Sequence, residues 1–368
     1  MRKSAPSLGC AVVCVPARNE AEILPRLIRS LDAQLGAGDG ARLRVVILAN
    51  NCTDGTVELI HAMERDGEAT HLILRVIEAR IAPPDAHVGT ARRMALDAGA
   101  DWLDADAVVD GVVLSTDADA VAPADWVRAN LAALDGAELV GGRLVIHGAV
   151  SDPALDDLHR RIERYWVGVR ALEEALDPPA HDPAPRHGDH VAASLAIRAD
   201  LYRRVGGLPA LACGEDNAFV ARVRLHGGRV RHCPAVSIAV SDRATGRVEG
   251  GMATEMTRRA RVAAGTEAYL LPPASHWCAL IARRRALREA WNAPAGTETA
   301  LRALGITPAD IAAIDPATCP NAIALVERIE ARIGEGLPEP VAEPLDRVLA
   351  DIEAMLAELH RVPVARVA

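Results

Sequence analysis

Val112-Val113-Leu114-Ser115-Thr116-Asp117-Ala118-Asp119 is the stretch on which the fold turns. Its apolar start reads as a strand buried in a parallel sheet. Side chains alternate along extended backbone, so Asp117 and Asp119 point the same way. Two carboxylates leaving the carboxyl end of a strand offer oxygen ligands to a hard divalent cation. Magnesium typically takes one or two carboxylates and completes its shell with water and substrate phosphates. A phosphate compound held through such a cation is therefore the first expectation. Acidic pairs also decorate surface turns, so the flanking sequence has to decide.

The flanks alternate strand and helix. Cys10 to Val15 is a continuous apolar strand, and Glu20 to Leu35 carries Ile23, Leu24, Leu27, Ile28 and Leu31 at helical spacing. Arg44 to Ala49 and Leu72 to Ile77 read as further strands, Thr56 to Glu64 and Thr90 to Gly99 as helices, and Ala107 to Ser115 as the fourth strand. This alternation implies an α/β fold with a mostly parallel sheet flanked by helices. In such sheets ligands bind outside the carboxyl ends of the strands. Three polar clusters fall at those ends: Pro16 to Glu20, Asn50 to Asp54, and Asp117 to Asp119. A helix is expected over Pro153 to Leu176, a Pro/His-rich loop over 177–190, a strand over Val191 to Ile197, helices near Asp200 to Val205 and over Glu215 to Leu225, and a last strand within Arg229 to Val240. Beyond about 251 the pattern is mainly helical and ends in an amphipathic stretch, Leu345 to Leu359.

At 368 residues the chain has room for about two domains. The net charge of −9, with both signs interspersed, argues against nucleic acid as a partner. No long apolar region follows Met1-Arg2-Lys3-Ser4, and no run approaches the ~18 apolar residues of a spanning helix. A cytoplasmic protein that does not span the membrane is expected, with loose peripheral association left open. The seven cysteines form no Cys-x-x-Cys pair, which fits thiols in a reducing compartment better than zinc ligands.

The candidate chemistry lies in short motifs. Pro16, Ala17, Arg18, Asn19 and Glu20 join the first strand to the first helix, where backbone N–H groups favour anionic or accepting ligands; Asn19 and Glu20 serve equally as cap and dipole partner. Asp54 can bind a ligand or cap the next helix. Arg92 and Arg93 lie on the helix before the acidic pair, and a guanidinium there suits a diphosphate or a solvated face. Glu215 and Asp216 open a helix, and one of them can act as general base; adjacent helical residues point about 100° apart, so not both. His181, His187 and His190 have no standard metal spacing, though His190 precedes the strand leading to Glu215. Arg243 and Arg247 follow the last strand in a loop suited to clamping phosphate or to a plain basic turn.

Taken in order, Pro16-Ala17-Arg18-Asn19-Glu20, Asn50-x-x-x-Asp54-Gly55-Thr56, Gly89-x-Ala91-Arg92, Asp117-x-Asp119, Gly206-Gly207, Gly214-Glu215-Asp216 and Ser241-x-Arg243-x-x-Gly246-Arg247 resemble a family-two glycosyltransferase with the GT-A fold, soluble and non-processive. The resemblance implies a GT-A domain over 8–250, with a nucleotide-binding half about 8–120 and an acceptor half about 121–250, followed by a helical extension over 251–368. It implies metal-dependent transfer of a sugar from a nucleotide-diphosphate sugar to an acceptor hydroxyl by an inverting single displacement. The acceptor is open among a glycan, a lipid-linked group and a small molecule. Residues 16–20, Asn50, Asp54, Arg92, Asp117, Arg243 and Arg247 would then hold the nucleotide sugar, Asp119 with Asp117 the Mg2+ or Mn2+, and Asp216 with Glu215 beside it the catalytic base. The family usually has acidic residues where Asn50 and Asn51 stand, and its histidine after the last strand is not evident, with Ser237 and Ala239 in that neighbourhood and His232 as a substitute from another register. Two rivals remain: a nucleotidyltransferase on a similar sheet, which normally carries a Gly-rich loop that 16–20 lacks, and a non-catalytic binding protein on the same fold.

Overall fold

The computed structural model describes residues 7–34, 40–147, 152–241 and 252–361. In chain order the first unit contains β1 (Ala11–Ala17), α1 (Leu24–Asp32), β2 (Leu43–Asn50), α2 (Thr56–Arg65), β3 (Leu72–Ala79), α3 (Val88–Ala105), β4 (Val112–Ser115), α4 (Trp126–Ala133) and β5 (Leu139–His147). After α5 (Pro153–Leu176) it resumes with β6 (Leu195–Arg198), α6 (Ala199–Arg204), α7 (Glu215–Leu225) and β7 (Val230–Ser241). The strands form one sheet in the order β3-β2-β1-β4-β6-β5-β7. β1 pairs in parallel with β2 and β4, and β2 with β3. β6 runs antiparallel to β4 and β5, while β5 and β7 are parallel. The N-terminal end of β6 therefore meets the carboxyl end of β4, Leu195 opposite Ser115.

β1 explains the layering. All seven of its residues are buried. Val13 and Val15 pack with Leu24, Leu27, Ile28 and Leu31 of α1 on one face. Val12 and Cys14 pack with Ala91, Ala95 and Leu96 of α3 on the other. Two-residue alternation with apolar side chains at both phases requires cover on both faces. Each buried valine contributes about 1.5–3 kcal/mol. α3 sits close to the sheet because Gly99 has no side chain; a Cβ there would stand 2.4 Å from Cys14 Sγ. Gly99→Ala is expected to cost about 1–3 kcal/mol by overpacking, read as a lowered urea midpoint with unchanged slope.

Several element boundaries differ from expectation: α3 runs on to Ala105 rather than Gly99, and β6 begins at Leu195 rather than Val191, after a 3₁₀ turn over Ala192–Ser194. α1 begins at Leu24 rather than Glu20, because Asn19 takes a left-handed backbone (φ 55°) and the chain turns before Pro25 enters the helix. β4 begins at Val112 rather than Ala107, since Ala107 and Asp110 have φ of 51° and 56° and cannot extend a strand.

The second unit holds α5, α8 (Met252–Ala263), β8 (Leu270–Leu271), α9 (Ala274–Trp291), α10 (Thr297–Ala303), α11 (Pro308–Ile314), α12 (Ala322–Ile333), β9 (Glu343–Pro344) and α13 (Leu345–Arg361). Residues 152–184 and 224–227 pack with 252–361, whereas the expected division was 8–250 and 251–368. The cause is apolar patterning on α5: Leu158, Ile162, Tyr165 and Leu172 share one core with Leu345, Val348 and Ile352 of α13. All seven cysteines are free thiols. Among the described residues no helix is long and apolar enough to cross a membrane.

Candidate active site

The loops after β1 and β2 are clasped together. Asn19 Oδ1 accepts from the Thr53 N–H at 2.8 Å. The Glu20 N–H donates to Thr56 Oγ1 and the Ala21 N–H to Asp54 Oδ2, each at 3.0 Å. Asp54 also accepts from the Thr56 N–H at 3.1 Å. Burial pushes the Asp54 carboxyl up, but hydrogen bonds from Thr56 and Ala21 together hold it below its ordinary value. A carboxylate lowered in this way stabilises the fold above the ordinary aspartate value and ceases to do so as pH falls through the lowered one. Protection of the Ala21 and Thr56 amides, measured against their intrinsic exchange rates, is therefore expected to fall as pH drops below about 4, ahead of protection in β1.

Asn50 and Asn51 divide two tasks. Asn51 (φ 51°) faces Ile81, accepting from its N–H and donating to its carbonyl, both at 2.8 Å. This ties the loop after β2 to the segment after β3, and an aspartate would lack the donor. Asn51→Ala removes both bonds and leaves alanine at positive φ; a loss of about 2 kcal/mol in urea unfolding is expected. Asn50 is 2% exposed and its Oδ1 has no hydrogen-bond partner. Thr116 Oγ1, just past β4, is likewise buried and unpartnered. These two atoms flank the end of β1 at the strand-end rim.

Arg92 is the centre of the next cluster. α3 delivers it inward, and Gly89 allows the approach: a Cβ there would stand 1.9 Å from the Leu211 carbonyl oxygen. Arg92 Nη2 donates to Asp117 Oδ1 at 2.7 Å, and Nε to Glu215 Oε1 at 3.3 Å. Nη1 donates to Ser115 Oγ at 3.0 Å and to the Ala192 carbonyl at 3.3 Å. The residue is 3% exposed. Burial alone would weaken its charge, and Asp117 and Glu215 more than offset that. Burial pushes the Glu215 carboxyl up, with Arg92 opposing and Asp216 and Asp117 adding to the rise. The sequence left Arg92 between a diphosphate and a solvated face, and the resemblance implied the nucleotide sugar; the structure turns its guanidinium onto protein acceptors, because two carboxylates converge on a nearly closed site. Arg93 is also occupied, donating to the carbonyls of Leu208 and Gly206 at 3.1 Å and so holding the Gly206-Gly207 turn.

The two carboxylates at the start of α7 differ. Glu215 is 7% exposed and paired with Arg92, whereas Asp216 is only half-buried. Asp216 Oδ2 accepts from the Ala192 N–H at 3.2 Å, and Oδ1 from the Asn217 N–H at 2.8 Å. His190 lies beside them: its Nε2 is 3.0 Å from Asn217 Oδ1 and its Nδ1 3.2 Å from His232 Nε2. His232 is thus engaged with His190, and His187 stacks edge-on against it. His181 belongs to the second unit.

Asp119 follows Asp117 on a turn and is half-buried. The chain is then pinned to β7: the Val121 N–H donates to the Ala239 carbonyl at 2.8 Å and the Ala239 N–H returns to Val121 at 3.2 Å. Among the described residues no group of three or more His, Cys, Asp or Glu is placed to hold a metal ion. Two carboxylates alone match a cation that draws its other ligands from diphosphate and water, which is the donor set Mg2+ prefers.

The structure thus brings together Arg92, Asp117, Glu215 and Asp216, and separately clasps Asn19, Glu20 and Asp54. Pro16 and Ala17 end β1, and Arg18 is exposed, with Nη1 3.3 Å from the Ala86 carbonyl. Arg243 and Arg247 lie outside the described residues. Ser115, Thr116 and the Ala192 backbone were not anticipated. His190 and His232 were each singled out in the sequence, but their pairing was not anticipated.

A sheet of this order, with its polar loops at the carboxyl ends of β1, β2 and β4, is a GT-A-type fold. Over residues 12–172 the chain matches the sequence model described as Glycosyl transferase family 2. No curated protein matches the chain. Solved structures similar to it include TarS 1-349 of S. aureus in complex with UDP, at 15% identity over 95% of this chain and 89% of that one, TM-score 0.45. The mannosyltransferase PcManGT from Pyrobaculum calidifontis, in complex with GDP-Man and Mn2+, is 17% identical over 91% of both chains, TM-score 0.45. Glucosyl-3-phosphoglycerate synthase from Mycobacterium tuberculosis, in complex with phosphoglyceric acid, is 16% identical over 71% of this chain and 83% of that one, TM-score 0.38.

Proposed function

We propose that this protein transfers a sugar from a nucleotide-diphosphate sugar to an acceptor hydroxyl by an inverting single displacement. The observation that carries the reading is Asp216: a half-buried carboxylate, held by the Ala192 N–H, beside the Arg92–Asp117 pair at the rim where parallel strands end. Asp216 takes the proton of the attacking hydroxyl. Glu215 is committed to Arg92 and acts through position. The clasped loops around Asn19, Glu20 and Asp54 hold the nucleoside, and the unpartnered atoms of Asn50 and Thr116 offer it polar contacts. Arg18, and Arg243 and Arg247 by their place after β7, supply positive charge for the diphosphate.

Asp119, with Asp117, would hold Mg2+ or Mn2+, which supplies Lewis-acid stabilisation of charge on the leaving diphosphate. The seven free thiols fit a reducing, cytoplasmic setting. The acceptor is a glycan, a lipid-linked group or a small molecule. A nucleotidyltransferase is disfavoured because 16–20 is closed by the Asn19 side chain and the Glu20 N–H rather than by a Gly-rich phosphate cradle. Incubating the protein with sugar nucleotides and Mn2+ tests the reading: release of nucleoside diphosphate supports it, release of pyrophosphate points to nucleotidyl transfer, and binding without turnover points to a non-catalytic protein.

A further inference from the structure

The geometry points to Arg92 as a positioning residue for sugar transfer: its buried guanidinium sets the separation between Asp117 on the donor side and the helix start that carries Asp216. This rests on the transfer reading above.

Three observations carry it. First, every nitrogen of the Arg92 guanidinium donates to protein: Nε to Glu215, Nη1 to Ser115 and Ala192, Nη2 to Asp117. At 3% exposure it has no face left for a substrate phosphate. Second, Arg92 reaches Asp216 by two short routes. Glu215 is its sequence neighbour in the first turn of α7. Ala192 accepts from Arg92 through its carbonyl and holds Asp216 through its own N–H. Third, the other end of the fork holds Asp117, whose side chain is 36% exposed and open to the rim.

One rigid planar group thus spans β4, the segment before β6, and α7. A guanidinium fixes such a geometry in a way a lysine ammonium does not. Buried ionic clusters are weak sources of net stability, and replacing all their charges is often neutral. Their value here is the distance they impose between base and donor, where a shift of about 1 Å can cost about 10²-fold in rate.

The test compares Arg92→Lys and the paired variant Arg92→Met/Glu215→Gln with the wild type. The second removes both buried charges and leaves Asp117 to solvent, so it keeps the question answerable where the first unfolds. Folded state is checked by circular dichroism. Affinity for UDP and for GDP in Mn2+ is read by calorimetry, and turnover of the matching sugar nucleotide, to acceptor or water, gives kcat. The expected result is a nucleotide Kd within about threefold of wild type and a kcat lower by about 10²-fold in the folded variants. A Kd weakened about tenfold or more with kcat kept makes Arg92 a phosphate ligand and overturns the proposal. Wild-type kcat in the folded paired variant overturns it too, because Arg92 would then serve the fold alone. A wild-type protein that binds neither nucleotide and turns over neither donor removes the transfer reading itself, and the proposal with it.

Discussion

Asp216→Asn is expected to slow sugar transfer by about 10²–10⁴-fold, the usual worth of a general base, while the protein still takes up a nucleoside diphosphate. The asparagine has the size of the aspartate, and its one oxygen can keep an N–H contact from Ala192 or Asn217. What it cannot do is accept the acceptor's proton at neutral pH. The loss should therefore fall on kcat, with donor KM little moved, the signature of an interaction made in the transition state. Glu215→Gln is the control. Glu215 is buried against Arg92, so its neutral form should loosen the Arg92 cluster and lower activity less than the Asp216 change. If Glu215→Gln is the dead variant and Asp216→Asn stays active, the base has been assigned to the wrong carboxylate.

Asp119→Ala carries the second large effect: loss of metal-dependent donor turnover by at least about 10²-fold, with the fold retained. Asp119 sits on a turn after β4, half-exposed, and the backbone just beyond it is pinned by the Val121–Ala239 pairing. On the proposed reading, removing the carboxylate takes away one of two protein ligands in a set that has few to spare. Excess chelator should do to the wild type what the substitution does to the variant. Full turnover in either case would take the cation out of the mechanism.

The apolar strands and the place of the chemistry were legible in the chain. Val12 to Val15, Val45 to Leu48 and Val112 to Leu114 are buried runs that admit little but a covered sheet, and a parallel sheet sends its loops to one rim. Pro153, with Ser151 or Asp152 before it as a cap, marked the start of α5, and the structure gives the cap to Asp152. What could not be read was the partner of each polar group. Arg92 looks the same in sequence whether it faces a phosphate or two carboxylates; Glu215 lies 123 residues away along the chain, and nothing local announces the pair. The same holds for His190 and His232, brought together by β5 pairing with β7. The membership of α5 in the second unit was hidden for a related reason: its amphipathic stripe says that it packs, not on what.

The most direct test of the account is a thermal-unfolding panel of UDP, GDP and other nucleoside diphosphates, each with and without Mn2+, on the wild type and on Asp119→Ala. One nucleotide should raise the wild-type melting temperature in Mn2+, by an amount equivalent to about 2.7 kcal/mol when free ligand is about 100 times Kd. That rise should shrink without the cation and in the variant. A panel in which no nucleotide shifts the wild type, or in which the shift is the same without Mn2+ and without Asp119, contradicts a cation-assisted nucleotide site at the rim of this sheet.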